Sequence, residues 1–407
     1  MTTWPRFNMA SGPVDVSIET LRAMQRPVLY HYDPAFIEVF ESVSSMAKAV
    51  FATDYDVVIM QAEAILGLEA AAASLIEPGD KVLNLVSGVF GKWFEDFIRR
   101  YGGEVIELSV PYNAAIDPAD VRRLLLAVPD IRFLSVVHSE TPSGTINPVR
   151  EICRIAKEFD VITIVDTVSG LGSETLSPED WGIDVAVAGP QKCLGGTPGL
   201  SLISVSPEAW RAMESRATPL RGSFLSILDW KTTWLEARRF PYTPSVTEVY
   251  ALESVLEQAL REGMDAVVAR HQASAVAIRA AVRALGLTLW AESDAIAGAC
   301  CTAVTSPAGV SPEALQATMR NRYGIMIAGG YGELTGKLFR LGHMGLAAHP
   351  ALVTAQLAML ERALADLGMP VELGTGVGAA LAAFAGWDDA EGTYPIGGER
   401  PGWPSTG

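Results

Sequence analysis

The sequence predicts an α/β fold, with a large domain built on a mostly parallel seven-stranded sheet and a smaller C-terminal α+β domain. Three observations predict it. Short apolar runs recur between Val57 and Val205: "VVIM", "KVLNLVSG", "EVIELSV", "IRFLSVVHSE", "VITIVDTVSG", "DVAVAGP" and "LSLISVS". Amphipathic stretches long enough for helices lie between most of them, which is how a parallel sheet covered on both faces reads. Near Gly263 the character changes to a long helical stretch, "MDAVVARHQASAVAIRAAVRALG", followed by shorter runs.

Taken in order, residues 1–14 open on "MTTWPRFNMASGP", which lacks the charged and apolar regions of a secretory signal and is expected to pack on the small domain. The large domain is expected over residues 15–262. Its first apolar run, "VVIM", turns through Glu63 into the Ala-rich helix "LGLEAAAASLI", which Glu69 keeps from reading as a membrane span. Later runs end at Ser87, Glu140 and Asp166, and "DVAVAGP" leads through a Gly-Pro turn to Lys192 and "CLGGTPG". Ligands of such sheets bind beyond the carboxyl ends of the strands, so Glu63, Ser87, Glu140, Asp166 and Lys192 are expected to be neighbours. The small domain is expected over residues 263–385, with extended runs "LTLWAE", "CTAVTSP", "IMIAGG" and "KLFRLGHMG" around helices starting at Pro312 and Pro350. A Gly/Pro-rich tail, residues 386–407, is expected to be loosely held.

A formal net charge of −16 argues against a sequence-independent grip on nucleic acid or an anionic membrane and favours small-molecule partners. Cys153, Cys193, Cys300 and Cys301 make no CxxC pair or disulfide-like framework, and the five histidines show no zinc-ligand spacing. The expectation is a soluble cytoplasmic protein without a metal site.

Asp166 and Lys192 each close an apolar run, which puts a carboxylate and an amine at one sheet edge. A lysine there can condense with a carbonyl, and an aspartate can hold a pyridinium N–H and deepen the electron sink. The plain alternative is a structural Asp–Lys ion pair.

Together with "VLYHYDPAF", "LNLVSGVFGK", "VPYNAAIDP", "HSETPSGTINP", "GPQKCLGGTPGLS", "SILDW", "FPYTPSVTE", "NRYG" and "RLGHMG", these stretches resemble the class V, fold-type I aminotransferases of the alanine–glyoxylate group. Within that group the resemblance runs to members that move the amino group of free pyridoxamine to pyruvate, giving pyridoxal and alanine. It implies Lys192 as the Schiff-base lysine, Asp166 as partner of the pyridine nitrogen, Phe90 stacked on the ring and Arg340 as carboxylate clamp. It also implies a homodimer or dimer of dimers, with sites that borrow residues such as Tyr242 across the interface.

Glu63 stands where phosphate-using relatives carry a small hydroxyl residue or glycine, and Phe240 stands where they carry a tyrosine that reaches the phosphate from the partner subunit. A carboxylate about 4 Å from a phosphate adds roughly 4 kcal/mol of repulsion per unit charge at an effective dielectric near 20. The ring compound is therefore expected to be unphosphorylated pyridoxal or pyridoxamine, bound as a substrate, with no permanent cofactor. Two other readings of Glu63 stay open, a cap on the Ala-rich helix and a side chain turned to solvent. Tyr30, Tyr242 and Tyr331 resemble pocket-lining positions, Gln191 the neighbour of the ring's 5′ end, and Thr141 and Ser143 donors to its phenolic oxygen. Tyr331 replaces a second arginine of relatives, which leaves the identity of the 2-oxo acid open. His138, His343 and Cys193 read as core or supporting residues. One rival reading is a pyridoxal-phosphate enzyme acting on alanine, serine or aspartate with glyoxylate; another is a ring-binding protein without catalysis.

Overall fold

A computed structural model describes residues 4–388 of the chain. Strand β1 is Phe7–Asn8, followed by helices α1 (Ile18–Ala23) and α2 (Pro34–Phe51). Then come β2 (Asp56–Gln61), α3 (Ala64–Leu75), β3 (Lys81–Val86), α4 (Val89–Arg100), β4 (Glu104–Ser109) and α5 (Pro118–Ala127). Strand β5 (Ile131–Val137) leads into the small hairpin β6 (Ser139–Glu140) and β7 (Thr145–Ile146), then α6 (Val149–Glu158) and β8 (Ile162–Asp166). Next are α7 (Pro178–Trp181), β9 (Val185–Ala188), β10 (Leu200–Val205), α8 (Pro207–Glu214), α9 (Ile227–Trp230) and α10 (Val246–Glu262). The remainder comprises α11 (Met264–Ala284), β11 (Cys301–Thr305), α12 (Pro312–Tyr323), β12 (Ile325–Met326), β13 (Ala328–Gly329), β14 (Leu338–Gly342), α13 (Pro350–Asp366) and α14 (Thr375–Asp388).

Local chemistry sets many of these ends. Helices α2, α5, α8 and α12 begin with proline in the first turn behind Asp33, Asp117, Ser206 and Ser311, whose side chains accept a backbone N–H of that turn. Helix α12 stops at Gly324, held at a φ of 72° that glycine adopts without penalty.

The seven expected runs form one seven-stranded sheet of order β2-β10-β9-β8-β5-β3-β4. Neighbours are parallel except around β10, which runs antiparallel to both β2 and β9. One core gathers buried residues from Phe36 to Val267 on both sheet faces, and a second gathers Met9 with residues from Ala273 to Phe384. Strand β1 pairs in parallel with β12, so the chain's start lies on the C-terminal part.

Three details depart from expectation. "LTLWAE" makes no strand; Leu289 forms an isolated bridge to Val304, and Trp290 turns its indole N–H to the Tyr112 carbonyl. "IMIAGG" splits into β12 and β13, because one half pairs with β1 and the other with β14. Helix α14 continues through Asp388, past the expected boundary at 385, with Ala380 and Phe384 packed in the second core. The rest of the expected tail, 389–407, lies outside the described residues. Among the described residues, no helix is long and apolar enough to cross a membrane, and no cluster of His, Cys, Asp and Glu is placed to hold a metal ion.

Candidate active site

At the carboxyl edge of the sheet a cavity of about 250 Å³ is lined by Glu63, Phe90, Trp93, Ser139, Asp166 and Lys192 among others. They come from several different strand ends. Glu63 follows β2, Phe90 and Trp93 sit in the first turns of α4 after β3, Asp166 ends β8, and Lys192 follows β9. Of the five polar residues expected together, Glu63, Asp166 and Lys192 meet here. Ser87 instead accepts from Asn147 Nδ2 at 2.7 Å, and Glu140 lies behind Phe90.

Asp166 Oδ1 accepts the Val168 amide at 2.9 Å. Burial pushes this carboxyl up to about 6, against the pull of the Val168 amide and Lys192, while Glu63 adds to the rise. Oδ2 has no partner among the described residues, so a ligand cation or N–H that met it would be bound by a desolvated acceptor. Lys192 Nζ donates to the Ser11 carbonyl at 3.0 Å, and burial pushes its pKa down. A lysine in that state has a larger neutral, nucleophilic fraction than one in water.

Glu63 is a helix cap and also faces the cavity. Its Oε2 accepts the Ile65 amide at 2.9 Å, and its Oε1 accepts from Gln191 Nε2 at 2.6 Å. The reading in which Glu63 turns to solvent is therefore overturned, because both oxygens are engaged by the chain. Gln191 is buried, and its own Oε1 has no partner, so this corner holds unused acceptor capacity. Phosphate carries acceptors and negative charge, which this carboxylate would oppose; a hydroxyl donor suits it.

Arg340, on β14, is held by two carbonyls: Nε donates to Gly329 at 2.7 Å and Nη1 to Thr141 at 3.2 Å. It has no carboxylate partner among the described residues, and burial pushes its pKa down. Such a fixed, uncompensated guanidinium can take a ligand carboxylate. Thr141 thus serves through its backbone carbonyl, which also accepts from Cys301 Sγ at 3.2 Å. Ser143 bonds within its own turn, to Thr145 Oγ1 at 2.8 Å. Tyr331 is exposed, its ring centroid 6.3 Å from Phe90 and 6.2 Å from Trp93, two residues that line the cavity.

Of the expected residues, Glu63, Phe90, Asp166 and Lys192 line this cavity; Arg340, Tyr331, Thr141 and Gln191 are not part of its lining, and three others are engaged elsewhere in the chain. Phe240 is a core residue, its ring stacked on Trp234 at 4.9 Å and edge-on to Phe40 at 5.0 Å. A ring without a polar handle gains from such apolar burial. Tyr30 is 66% exposed beside His31 and Tyr32. Tyr242 stacks on Phe224 at 4.0 Å and accepts the Trp230 indole N–H at 3.2 Å, while the Gln61 amide lies at its hydroxyl. His138 bonds Thr167 and His343 bonds Thr302, both buried with pKa values pushed down to about 4 and about 3 by burial. Cys193 fills space with Cys300, Cys301 and Met344, and all four cysteines are free. Sequence reasoning missed Trp93, Ser139 and Ser11; an aromatic one turn after Phe90 was the available signal for the first, and none existed for a backbone carbonyl.

The family described as aminotransferase class-V matches residues 22–341. The chain is 46% identical over 380 residues to the pyridoxamine–pyruvate transaminase of Mesorhizobium japonicum, covering 93% of this chain and 97% of the relative. The crystal structure of pyridoxamine–pyruvate aminotransferase from Mesorhizobium loti superposes with a TM-score of 0.92 at 45% identity, covering 94% of this chain and 98% of that one. Ureidoglycine–glyoxylate aminotransferase from Bacillus subtilis gives a TM-score of 0.90 at 30% identity, covering 95% and 99%. The seven-stranded sheet with its Asp166 and Lys192 edge is thus the fold-type I scaffold, and the chain belongs to the class-V aminotransferases.

Proposed function

We propose that this aminotransferase transfers the amino group of unphosphorylated pyridoxamine to a 2-oxo acid, pyruvate first among them, giving pyridoxal and an L-amino acid, alanine. One observation carries the reading: the helix N-terminus beside the cavity is already filled by the carboxylate of Glu63, which Gln191 holds in place. Anions bind well at helix N-termini only where that end is free, and here a fixed negative charge stands in the way. The ring itself suits the cavity, since Phe90 offers a flat apolar face and Asp166 an unpaired oxygen.

When bound, the ring supplies a pyridinium conjugated to the reacting carbon, an electron sink that no side chain provides. In this reading Asp166 keeps that nitrogen protonated, Phe90 fixes the ring plane and Glu63 takes the hydroxymethyl O–H. Lys192 is the amine that condenses with the ring aldehyde and, when free, moves the proton between the amino acid's α-carbon and the ring's exocyclic carbon. One group can serve both purposes because burial lowers its pKa. Arg340 orients the substrate carboxylate, with Tyr331 beside it in place of a second cation. Such an enzyme acts on small molecules in the cytoplasm, in the direction that degrades the vitamin, as a homodimer or dimer of dimers; light scattering checks the assembly.

The test is a titration of purified wild type and Glu63→Ser with pyridoxal and pyridoxal phosphate, followed by absorbance. Wild type should prefer pyridoxal. Glu63→Ser should gain up to a few hundredfold for the phosphate and weaken for pyridoxal, which loses a charged acceptor worth about 1.5 to 3 kcal/mol. Affinities that move in parallel, or a purified protein already saturated with pyridoxal phosphate, would reduce Glu63 to a helix cap and favour a phosphate-using enzyme.

A further inference from the structure

The Lys192 amine is met by a segment that belongs to the other end of the fold. Its Nζ donates to the carbonyl of Ser11 at 3.0 Å, and Ser11 is only 4% exposed. Residues 9–13 cross between two seats. On one side the Met9 carbonyl accepts the Gly342 amide at 3.0 Å and Gln356 Nε2 at 3.4 Å, while the Met9 amide donates to Met326 at 2.9 Å. On the other side the Val14 amide donates to the Gln191 carbonyl at 3.2 Å, next to Lys192 itself. Both seats are glycine-dependent. A Cβ on Gly12, whose φ is 93°, would stand 2.5 Å from Lys192 Cδ and 2.7 Å from its Nζ, and a Cβ on Gly342 would stand 2.1 Å from the Ala10 carbonyl oxygen.

We propose that residues 9–13 form a strap whose Ser11 carbonyl aims the Lys192 amine, making Ser11 a positioning residue for the condensation with the ring aldehyde. The inference rests on the reading of Lys192 given above. Its chemistry follows from the acceptor. A carboxylate at that distance would hold the amine as ammonium, whereas an uncharged carbonyl orients one N–H and leaves the lone pair free. Condensation joins the Nζ lone pair to the aldehyde carbon, and a C=N bond forms as water leaves with the aldehyde oxygen and both amine hydrogens. The N–H that Ser11 orients is therefore spent in the step, and the strap acts before it. Because the strap also sits on Gly342, two residues beyond Arg340, it joins the amine to the strand that carries the carboxylate clamp.

Two variants displace the strap from opposite sides: Gly12→Ala crowds it from Lys192, and Gly342→Ala pushes the Ala10 carbonyl without touching the lysine. The measurements are the rate of adduct formation with pyridoxal, with the labelled lysine identified after borohydride trapping, and the dissociation constant of pyridoxine, whose alcohol cannot condense. Both variants should slow adduct formation about tenfold or more, the scale of an ångström-level misplacement, with pyridoxine affinity unchanged. If either does not fold, Gln356→Met removes the donor to Met9 at similar bulk and should slow adduct formation in the same selective way. Wild-type rates in folded variants overturn the strap, as does pyridoxine affinity that falls in proportion to the rate. A wild type that binds pyridoxine but labels another lysine overturns the Lys192 assignment and the strap with it.

Discussion

Glu140 is fully buried, and its two oxygens accept the Phe90 and Gly91 amides at 3.2 and 2.8 Å. Burial nevertheless dominates and pushes its carboxyl up to about 7, with Asp166 adding to the rise. A raised acid stabilises the fold below its unfolded value and loses that contribution as pH rises through the folded value. The stability gap between wild type and Glu140→Gln should therefore shrink between pH 5 and pH 8, by up to about 3 kcal/mol, in urea unfolding at each pH. Equal gaps at both pH values would mean that the carboxyl is not shifted. Arg340→Ala should raise the apparent constant for the 2-oxo acid far more than that for pyridoxamine, since the proposed function assigns the ring to Phe90 and Asp166; initial rates with each substrate varied would show it. Phe240→Tyr puts a hydroxyl among Phe36, Phe40 and Trp234, costing about 1 to 3 kcal/mol of stability, with no gain in affinity for pyridoxal phosphate.

Helices α3 and α4 both point their N-termini at the cavity edge, and each is answered by a carboxylate of the chain, Glu63 on α3 and Glu140 on α4. The partial positive charge of both helices is thereby offset internally. Helix α4 has no cap of its own, since Gly88 offers no side chain, and a Cβ at Gly88 would stand 2.6 Å from Glu140 Oε2. Gly91, inside the same helix, tests which effect wins. Ala should gain about 1 kcal/mol in helix propensity, but its Cβ would lie 2.9 Å from the Leu85 carbonyl oxygen, and overpacking of that kind costs about 1 to 3 kcal/mol. Gly91→Ala should therefore destabilise, as read by denaturant midpoint, and a stabilised variant would show that α4 can shift away from β3.

For the molecule as a whole, a net charge of −16 acts on approach as well as on binding. On the proposed function a phosphorylated ring would be repelled before it reached Glu63, while uncharged pyridoxal would not. Raising ionic strength should thus speed association of pyridoxal phosphate and leave that of pyridoxal unchanged, in stopped-flow absorbance. A salt-independent rate for both would place the discrimination inside the cavity alone.

By itself the sequence determined the seven strands, the carboxylate and amine at their edge and the helix starts at Pro312 and Pro350, because apolar runs, turn residues and proline act locally. Glu63, Asp166 and Lys192 could be expected at one edge because each follows an apolar run, and they share one cavity, whereas Phe90 and Arg340 were named through the family resemblance alone. Tertiary structure alone decided the rest. An apolar run does not encode direction, so the reversal of β10 came from its pairing with β2 and β9. Aromatic residues read alike whether they meet a ligand or a core, and only packing took Phe240 inside and left Tyr30 exposed. Glu63 caps α3 and still faces the cavity, since a carboxylate has more acceptor sites than one cap uses. The Ser11 carbonyl carries no side-chain signature, and only the path of the chain over Gly342 brings it, from 181 residues away, to Lys192.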